Sequence, residues 1–594
     1  MWYLSPFQII TQMSTIKIRR PQLTETFGIG SIFDAPGMSL MISESSWDSS
    51  KLMEVEEPRL VRRLKVDRLL TPVPADDKFV TSASVPARRF PAWAYCPSCH
   101  SLAKLADFGP IQSVKKCPGR NCAGQQLLPS RIVVACPAGH IDDFPWFRWA
   151  HTDRPCSTPE GNGKLTLVST NNSTSFADMR VVCQCGSSRD LGDVLMPAAL
   201  KSVDMNGCQG GTPWRVAGEK EECGQTVKVL QRGATNVYFP IRESAVSIPP
   251  YSGHVHMVAN ALWGMFKDLD PADDLFRLNV THLAPKHNLT PAELTEALQK
   301  KRAEVSGQEA DIDIKIDEFA ALSRPPQSGT FRDQFMAEKI DVVPEQHAHW
   351  LKSVTLVKRL RMVTAQVGFS RIEYPLDDNL IRELKLEADG KKWLPANEVR
   401  GEGIFLEFKS QHMNDWVAKN KAALETRLKH VLHKAKDSRI IQRTELPASP
   451  QVIVLHTLSH MLINELAMES GYSASSIRER LYCLKGAEEG QQRLGILIYT
   501  SSSDSEGSLG GLVRQGSPER LAGLLDKALE AAKWCSNDPL CSETSPEQGQ
   551  GTEGMNLAAC HCCGLLPETS CELFNALLDR TLLTGGAGIE GFIS

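Results

Sequence analysis

The sequence predicts an α+β protein of several domains, and three observations carry that prediction. The chain has 594 residues, more than one hydrophobic core accommodates, so three or four domains are expected. Its apolar periodicity changes along the chain, from short strand-like pieces, through helical spacing in the middle, to helices alternating with a strand near the end. Its 17 cysteines are clustered: ten lie between Cys96 and Cys223, and none between residues 224 and 482. Clustered pairs in a chain without an export signal read as metal sites, whereas disulfide scaffolds belong to small secreted domains. The resulting fold class is α+β and multi-domain, with zinc-ribbon-like modules in the N-terminal part, a helical middle and an α/β zinc-binding domain at the C-terminus. The divisions are placed at 14–250, 251–345, 346–445 and 446–594.

Composition sets limits on function. Hydrophobic content of 42% and charged content of 23% are those of an ordinary globular protein, and a formal net charge of −4 argues against a globally basic nucleic-acid binder. No run of 18 apolar residues occurs, so no membrane span is expected. The opening stretch MWYLSPFQIITQM lacks a charged leading region and a small-residue cleavage site, so no signal peptide is expected and the location is read as cytoplasmic. Met1 and Met13 both stand as possible starts.

In chain order, IKIRRPQLTETFGIGSIFD places Gly28 and Gly30 between apolar pieces and reads as strand, tight turn, strand. No third glycine and no strand–turn–helix context support phosphate binding there. The first cysteine module is Cys96-x2-Cys99 followed by Cys117-x4-Cys122, two short-spaced pairs separated by a hairpin's length. Each pair makes one knuckle, and four thiolates close a tetrahedral zinc site with no position left for water, which makes its role structural.

The block RIVVACPAGHIDDFPWFRWAH brings Cys136, His140, Asp142, Asp143 and His151 close in sequence, with Cys156 just beyond. Trp146, Phe147 and Trp149 favour a packed turn, with Cys136, His140 and Cys156 as additional metal ligands. A catalytic zinc here remains an alternative. The second module is assigned to Cys183, Cys185, Cys208 and Cys223, and QRGATNVYFPIRESAVSIPP closes the region as a strand ending near Pro250.

The middle turns helical. HVHMVANALWGMFKDL has helical apolar spacing, and Thr290 with Glu293 forms a capping box with Pro291 in the first turn. HAHWLKSVTLVKRLRMVTAQVGFSRIEYP reads as helix alternating with a possible strand, and RGEGIFLEF as a strand. From Trp416 a basic helix carries Lys429, Lys434 and Lys436 together with His430 and His433. These three lysines are the nucleic-acid candidates, although no aromatic residues for base stacking accompany them.

The last third reads as a helix over Val452–Glu469 stopped by Gly471, a second helix, a strand at LGILIYT (494–500), a glycine-rich loop, and a helix capped by Ser517 with Pro518 first. A four-cysteine cluster follows, Cys535-x5-Cys541 and Cys560-x2-Cys563, with Cys562 and Cys571 as spare candidates. It would hold the helix ending at Trp534 against a helix over Cys571–Leu583. His456 and His460 lie one turn apart on a helix face, but Thr457 stands where a metalloprotease helix needs Glu. Together with Asn464 they could face Asp504 and the loop Gly507–Gly511, whose N–H groups suit an anion. Two regions therefore remain open for a metal-dependent hydrolase, Cys136/His140 and His456/Asp504. The sequence contains no Gly-x4-Gly-Lys-Ser/Thr phosphate loop and no Gly-x-Ser-x-Gly elbow.

LHTLSHMLINEL, IYTSSSDSEGSLGGLV and AACHCCGLLPETSCELFNALLDR resemble the zinc-binding C-terminal domain of MrfA-type helicases and their stand-alone relatives. RRPQLTETFGIGSIFD, RFPAWAYCPSC, ACPAGHIDDFPW, RGATNVYFP and RGEGIFLEF resemble the DrmB family of the DISARM anti-phage system, in the same order along nearly the whole chain. The resemblance implies zinc ligands at Cys535, Cys541, Cys560 and Cys563. It also implies a non-catalytic subunit that reaches DNA through a helicase partner resembling DrmA. Two to three structural Zn2+ sites are expected in all.

Overall fold

The computed structural model describes residues 17–593, apart from 36, 74–78, 82–84, 110–115, 123, 159–162, 170–174, 204–206, 216–219, 250–252, 306–312, 326–333, 341, 375–377, 487–490 and 501–509. Asp504 and most of the glycine-rich loop lie outside the described residues. The chain forms two units, and both are discontinuous in sequence. The first holds residues 1–55, 66–243 and 364–397; the second holds 56–65, 244–363 and 398–594.

In the first unit, short strands alternate with cysteine-bearing turns. One antiparallel sheet contains β1 (Trp93–Tyr95), β2 (Ser101–Lys104), β3 (Leu128–Pro129), β6 (Leu165–Ser169), β7 (Met179–Cys183) and β8 (Ser188–Asp190), in the order β3-β1-β2-β6-β7-β8. A second contains β4 (Ile132–Ala135), β5 (Ile141–Asp143) and β9 (Lys228–Gln231), with β4 central. Ile132, Val134, Leu167, Val181, Phe144 and Trp149 form the core of this region, and Cys136 and Cys183 belong to it. The IDDFPWFRWAH block is strand β5 followed by a helical turn at Trp146–Ala150, the aromatic packing expected of it. Gly30 adopts φ +85°, the tight turn read from the sequence.

The second unit has a larger core. Two long strands, β10 (Leu351–Ser370) and β11 (Lys391–Phe408), contribute residues to both units. Within the second, β11 pairs antiparallel with β13 (Gln492–Thr500), from Gly403↔Tyr499 to Glu407↔Gly495, and β13 pairs with β12 (Ile477–Lys485) over its whole length. The helices are α1 (Lys421–Asp437), α2 (Pro450–Ser470), α3 (Gly511–Gln515) and α4 (Pro518–Ala532). Helix α2 packs against β12, β13, α3 and α4 and is buried nearly all round, which explains its apolar composition on every face. Ser449 caps it, and Gly471 ends it in the left-handed conformation at φ +73°. The Thr290–Glu293 capping box is present, with Glu293 N 3.2 Å from Thr290 Oγ1 and Thr290 N 2.7 Å from Glu293 Oε2.

Four local readings are corrected. LKSVTLVKRLRMVTAQVGFS is a single strand, β10, in which the branched residues Val354, Thr355, Val357, Val363 and Thr364 are all buried. The second helix of the last third is strand β12, paired to β13 and buried on both faces, so its sequence lacks the polar alternation of a half-exposed strand. The basic helix from Trp416 breaks at Asn420 into Ser410–Lys419 and α1. Over Cys571–Leu583 only Thr581–Thr584 is helical. Phe574, Asn575 and Leu577 take positive φ there, and the Asn575 amide bonds both N–H and carbonyl of Leu566 at 2.8 Å. Its side chain thus supplies the backbone pairing that a helix would otherwise provide.

Candidate metal centres

Four ligands held about 2.3 Å from a tetrahedral ion lie about 3.8 Å from one another. A disulfide would bring its sulfurs to about 2.05 Å. The clustered cysteines of this chain fall near the first spacing.

Cys96 follows β1 and Cys99 precedes β2, while Cys117 and Cys122 come from the next loop. The four lie together, with Cys96 Sγ 3.8 Å from Cys122 Sγ and Cys99 Sγ 3.6 Å from Cys117 Sγ. Their ionisation is uneven: against opposing burial, Ser101 holds Cys99 down to about 6, and contact with Cys99 pushes Cys122 up to about 12. Four thiolates this close cannot all carry charge without a cation between them.

The set expected at Cys183, Cys185, Cys208 and Cys223 is divided between two clusters, and each is completed by residues of the CPAGH…H…C block. In one, the β4–β5 turn presents Cys136 and His140 to Cys208 and Cys223, with His140 Nδ1 3.5 Å and Cys223 Sγ 3.9 Å from Cys136 Sγ. His140 Nε2 lies 3.1 Å from Glu221, which Arg382 and Arg215 both contact. A carboxylate behind a histidine fixes which ring nitrogen faces the metal. The wholly buried Arg371 donates to the carbonyl of Gly139 in the same turn at 2.9 Å. In the other cluster, His151 and Cys156 meet Cys183 and Cys185 around the β7–β8 turn. His151 Nδ1 donates to the Phe147 carbonyl at 2.7 Å, leaving Nε2 directed at Cys185 Sγ 3.3 Å away. Ser187 holds the Cys185 thiol down to about 5, and burial pushes Cys183 up to about 11. Gly163 closes this cluster: a Cβ there would lie 2.6 Å from Cys183 Sγ and 3.2 Å from Cys156 Sγ, so a side chain would intrude on the ligands.

At the C-terminus, Cys535 and Cys541 follow α4 and meet Cys560 and Cys563, with sulfur separations of 3.5 Å for Cys535–Cys560 and 3.8 Å for Cys541–Cys563. Arg580 spans Asp538 and Cys541 Sγ, placing positive charge beside the thiolates. Cys562 is exposed and outside the cluster. Donor type, number and spacing at all four clusters fit a closed zinc site. No helix of the described residues is long and apolar enough to cross a membrane.

The amino-acid sequence is similar to those of known proteins. DISARM protein DrmB of Bacillus paralicheniformis is 31% identical over 576 residues, covering 93% of this chain and 97% of that protein. The chain belongs to the DrmB family. A family model described as the MrfA Zn-binding domain matches residues 458–564, which include Cys535, Cys541, Cys560 and Cys563. A second, described only as a domain of unknown function (DUF8724), matches residues 19–239 and includes the other three cysteine clusters. In this DrmB-family chain, His151 is the ligand candidate that spacing alone left unassigned, because two of its three cysteine partners, Cys183 and Cys185, are 32 and 34 residues away in sequence.

The remaining candidates are placed differently. Lys429 and Lys436 are exposed on α1, whereas Lys434 donates to the carbonyls of Gln548 and Gly554 at 3.1 and 3.4 Å. Arg427, on the same helix, is buried in a two-pronged pair with Asp579 at 2.7 and 2.9 Å. The N–H groups at the start of α3 are taken by the buried Glu402, which accepts from Gly510 at 2.7 Å, Leu512 at 2.8 Å and Val513 at 3.3 Å. An anion does sit at the end of the glycine-rich loop, and it is the protein's own carboxylate.

Proposed function

We propose that this chain is a non-catalytic, zinc-stapled subunit of an anti-phage defence assembly, acting in the cytoplasm beside a DNA helicase resembling DrmA. The carrying observation is that each cysteine cluster gathers four donors, so that a bound zinc would have no open position for water. The sequence adds that no phosphate loop is present to hold ATP. The four clusters hold four zinc ions, one more than the highest number read from spacing. Zinc fixes the turns that frame the helicase contact. Lys429 and Lys436 extend the basic path along which the complex engages DNA.

A pull-down of the tagged full chain from its own cytoplasm, with metal analysis of the eluate, tests this reading. A co-purifying helicase and at least four zinc ions per chain are expected, with no ATP turnover once the helicase is removed. A lone chain that hydrolyses ATP, or that carries a single exchangeable metal, overturns it.

A further inference from the structure

The geometry points to a further, differently built metal site in the second unit, formed by His456 Nε2, His460 Nε2, Glu479 Oε1 and Cys571 Sγ and taking a divalent transition-metal ion such as zinc. His456 and His460 stand one turn apart on α2, Glu479 is on β12, and Cys571 belongs to the irregular C-terminal segment. The four ligand atoms lie within 4.8 Å of one another, and every one of these residues is buried.

The hydrogen bonds around the quartet decide what it can hold. His456 Nδ1 lies 3.2 Å from the Leu577 carbonyl, and His460 Nδ1 lies 2.6 Å from the Gly564 carbonyl. A carbonyl only accepts, so both Nδ1 atoms carry protons, and each ring in its neutral form presents a lone pair at Nε2. Those lone pairs face the other acceptors: His456 Nε2 is 3.2 Å from Glu479 Oε1 and 3.1 Å from Cys571 Sγ, and His460 Nε2 is 3.5 Å from Glu479 Oε1. Nitrogen and oxygen ligands of one tetrahedral zinc lie about 3.3 Å apart. His460 Nε2 has no hydrogen-bond partner, although it is fully buried. The donors available to the carboxylate and thiolate approach from outside the quartet. Glu572 N donates to Glu479 Oε1 at 3.0 Å, Ser459 bonds Oε2, and Asn575 N donates to Cys571 Sγ at 3.1 Å.

Four electron-pair donors thus converge on one point with nothing positive between them. A proton there bridges one pair and leaves the rest opposed, whereas a divalent ion binds all four. Its charge also cancels the carboxylate and the thiolate, so the complete site is neutral in a dry core. The backbone carbonyls fixing the rings supply the outer hydrogen bonds that metal-binding histidines need. This site would link α2 and β12 to the C-terminal segment, independently of the neighbouring four-cysteine cluster. Two of its ligands, His456 and Cys571, fall outside the span matched to the zinc-binding domain model.

Metal analysis of the purified full chain tests the proposal. Relative to wild type, His460→Ala and Cys571→Ala should each lose one metal equivalent, Cys571→Asp should retain it, and Cys571→Ala combined with Cys560→Ser should lose two. Unchanged metal content in folded His460→Ala and Cys571→Ala overturns it. Should those variants not fold, crystals of the wild-type chain decide, measured at the absorption edges of zinc, iron and cobalt. An anomalous peak bonded to both Nε2 atoms supports the site. No peak there, in crystals where the four-cysteine cluster shows one, overturns it.

Discussion

The two units use cysteine in contrasting ways. In the first, three clusters sit among strands of two to five residues, and each contributes cysteines directly to the small cores. In the second, one four-cysteine cluster lies beside an extensive apolar core built on α2, α4, β12 and β13. Short strands bury little apolar surface, so a bound metal would contribute much of the free energy that orders them. A large core orders itself, and a metal at its margin fixes only a segment. The contrast teaches that similar ligand sets carry different weight according to how much hydrophobic surface lies behind them.

Metal removal gives the largest expected effect. A structural zinc contributes on the order of 10 kcal/mol to folding, so a strong chelator should unfold residues 93–231 of the full chain while β12, β13 and α2 stay protected. Hydrogen exchange read by mass spectrometry measures both regions at once. Equal loss of protection in the two would break the comparison. Cys563→Ser sharpens it, since that change should release one zinc and expose residues 535–564 while leaving the β12–β13 pair protected.

Next in size is Glu402→Ala. The variant strips the start of α3 of an acceptor shared by three N–H groups and by the Tyr472 hydroxyl. Loss of a buried charged acceptor should cost roughly 3 kcal/mol. Denaturant melting of the second unit would read this, and an unchanged midpoint would mean water replaces the carboxylate.

A smaller effect is expected from pH in the first unit. Burial pushes the Asp143 carboxyl up to about 6, although its Oδ1 accepts from Trp93 N at 3.3 Å. A raised carboxyl contributes stability that is complete below its unfolded value of 3.8 and is lost as pH rises through about 6. Asp143→Asn should therefore flatten the pH dependence between 4 and 7 by about 1–2 kcal/mol, discounted for its residual solvent contact. Identical pH profiles for both proteins would refute this.

The smallest effects fall on α1. Lys434→Ala should cost about 1 kcal/mol through its two carbonyl bonds. Lys429→Glu and Lys436→Glu should leave stability within about 0.5 kcal/mol, but weaken DNA binding of the complex in a salt-dependent way. Equal DNA affinity at low salt would leave that face simply solvated.

The sequence by itself determined the local features. The knuckle at Cys96–Cys99, the caps at Ser449, Gly471 and Thr290, the strand at LGILIYT and the family were legible because each rests on residues close together in the chain. Only the tertiary structure decided which cysteine completes which cluster. Cys136 joins Cys208 and Cys223 across 72 and 87 residues, and His151 joins Cys183 and Cys185. Periodicity also failed at β12, since a strand buried on both faces carries no alternating signal to separate it from a helix. Glu479 and Cys571 had no spacing to recommend them beside His456 and His460, because sheet pairing and the turn at Asn575 bring them there. Ligand spacing along a chain is set by local backbone geometry, whereas a metal selects for proximity in space, which the packing of α2, β12 and the C-terminal segment alone provides.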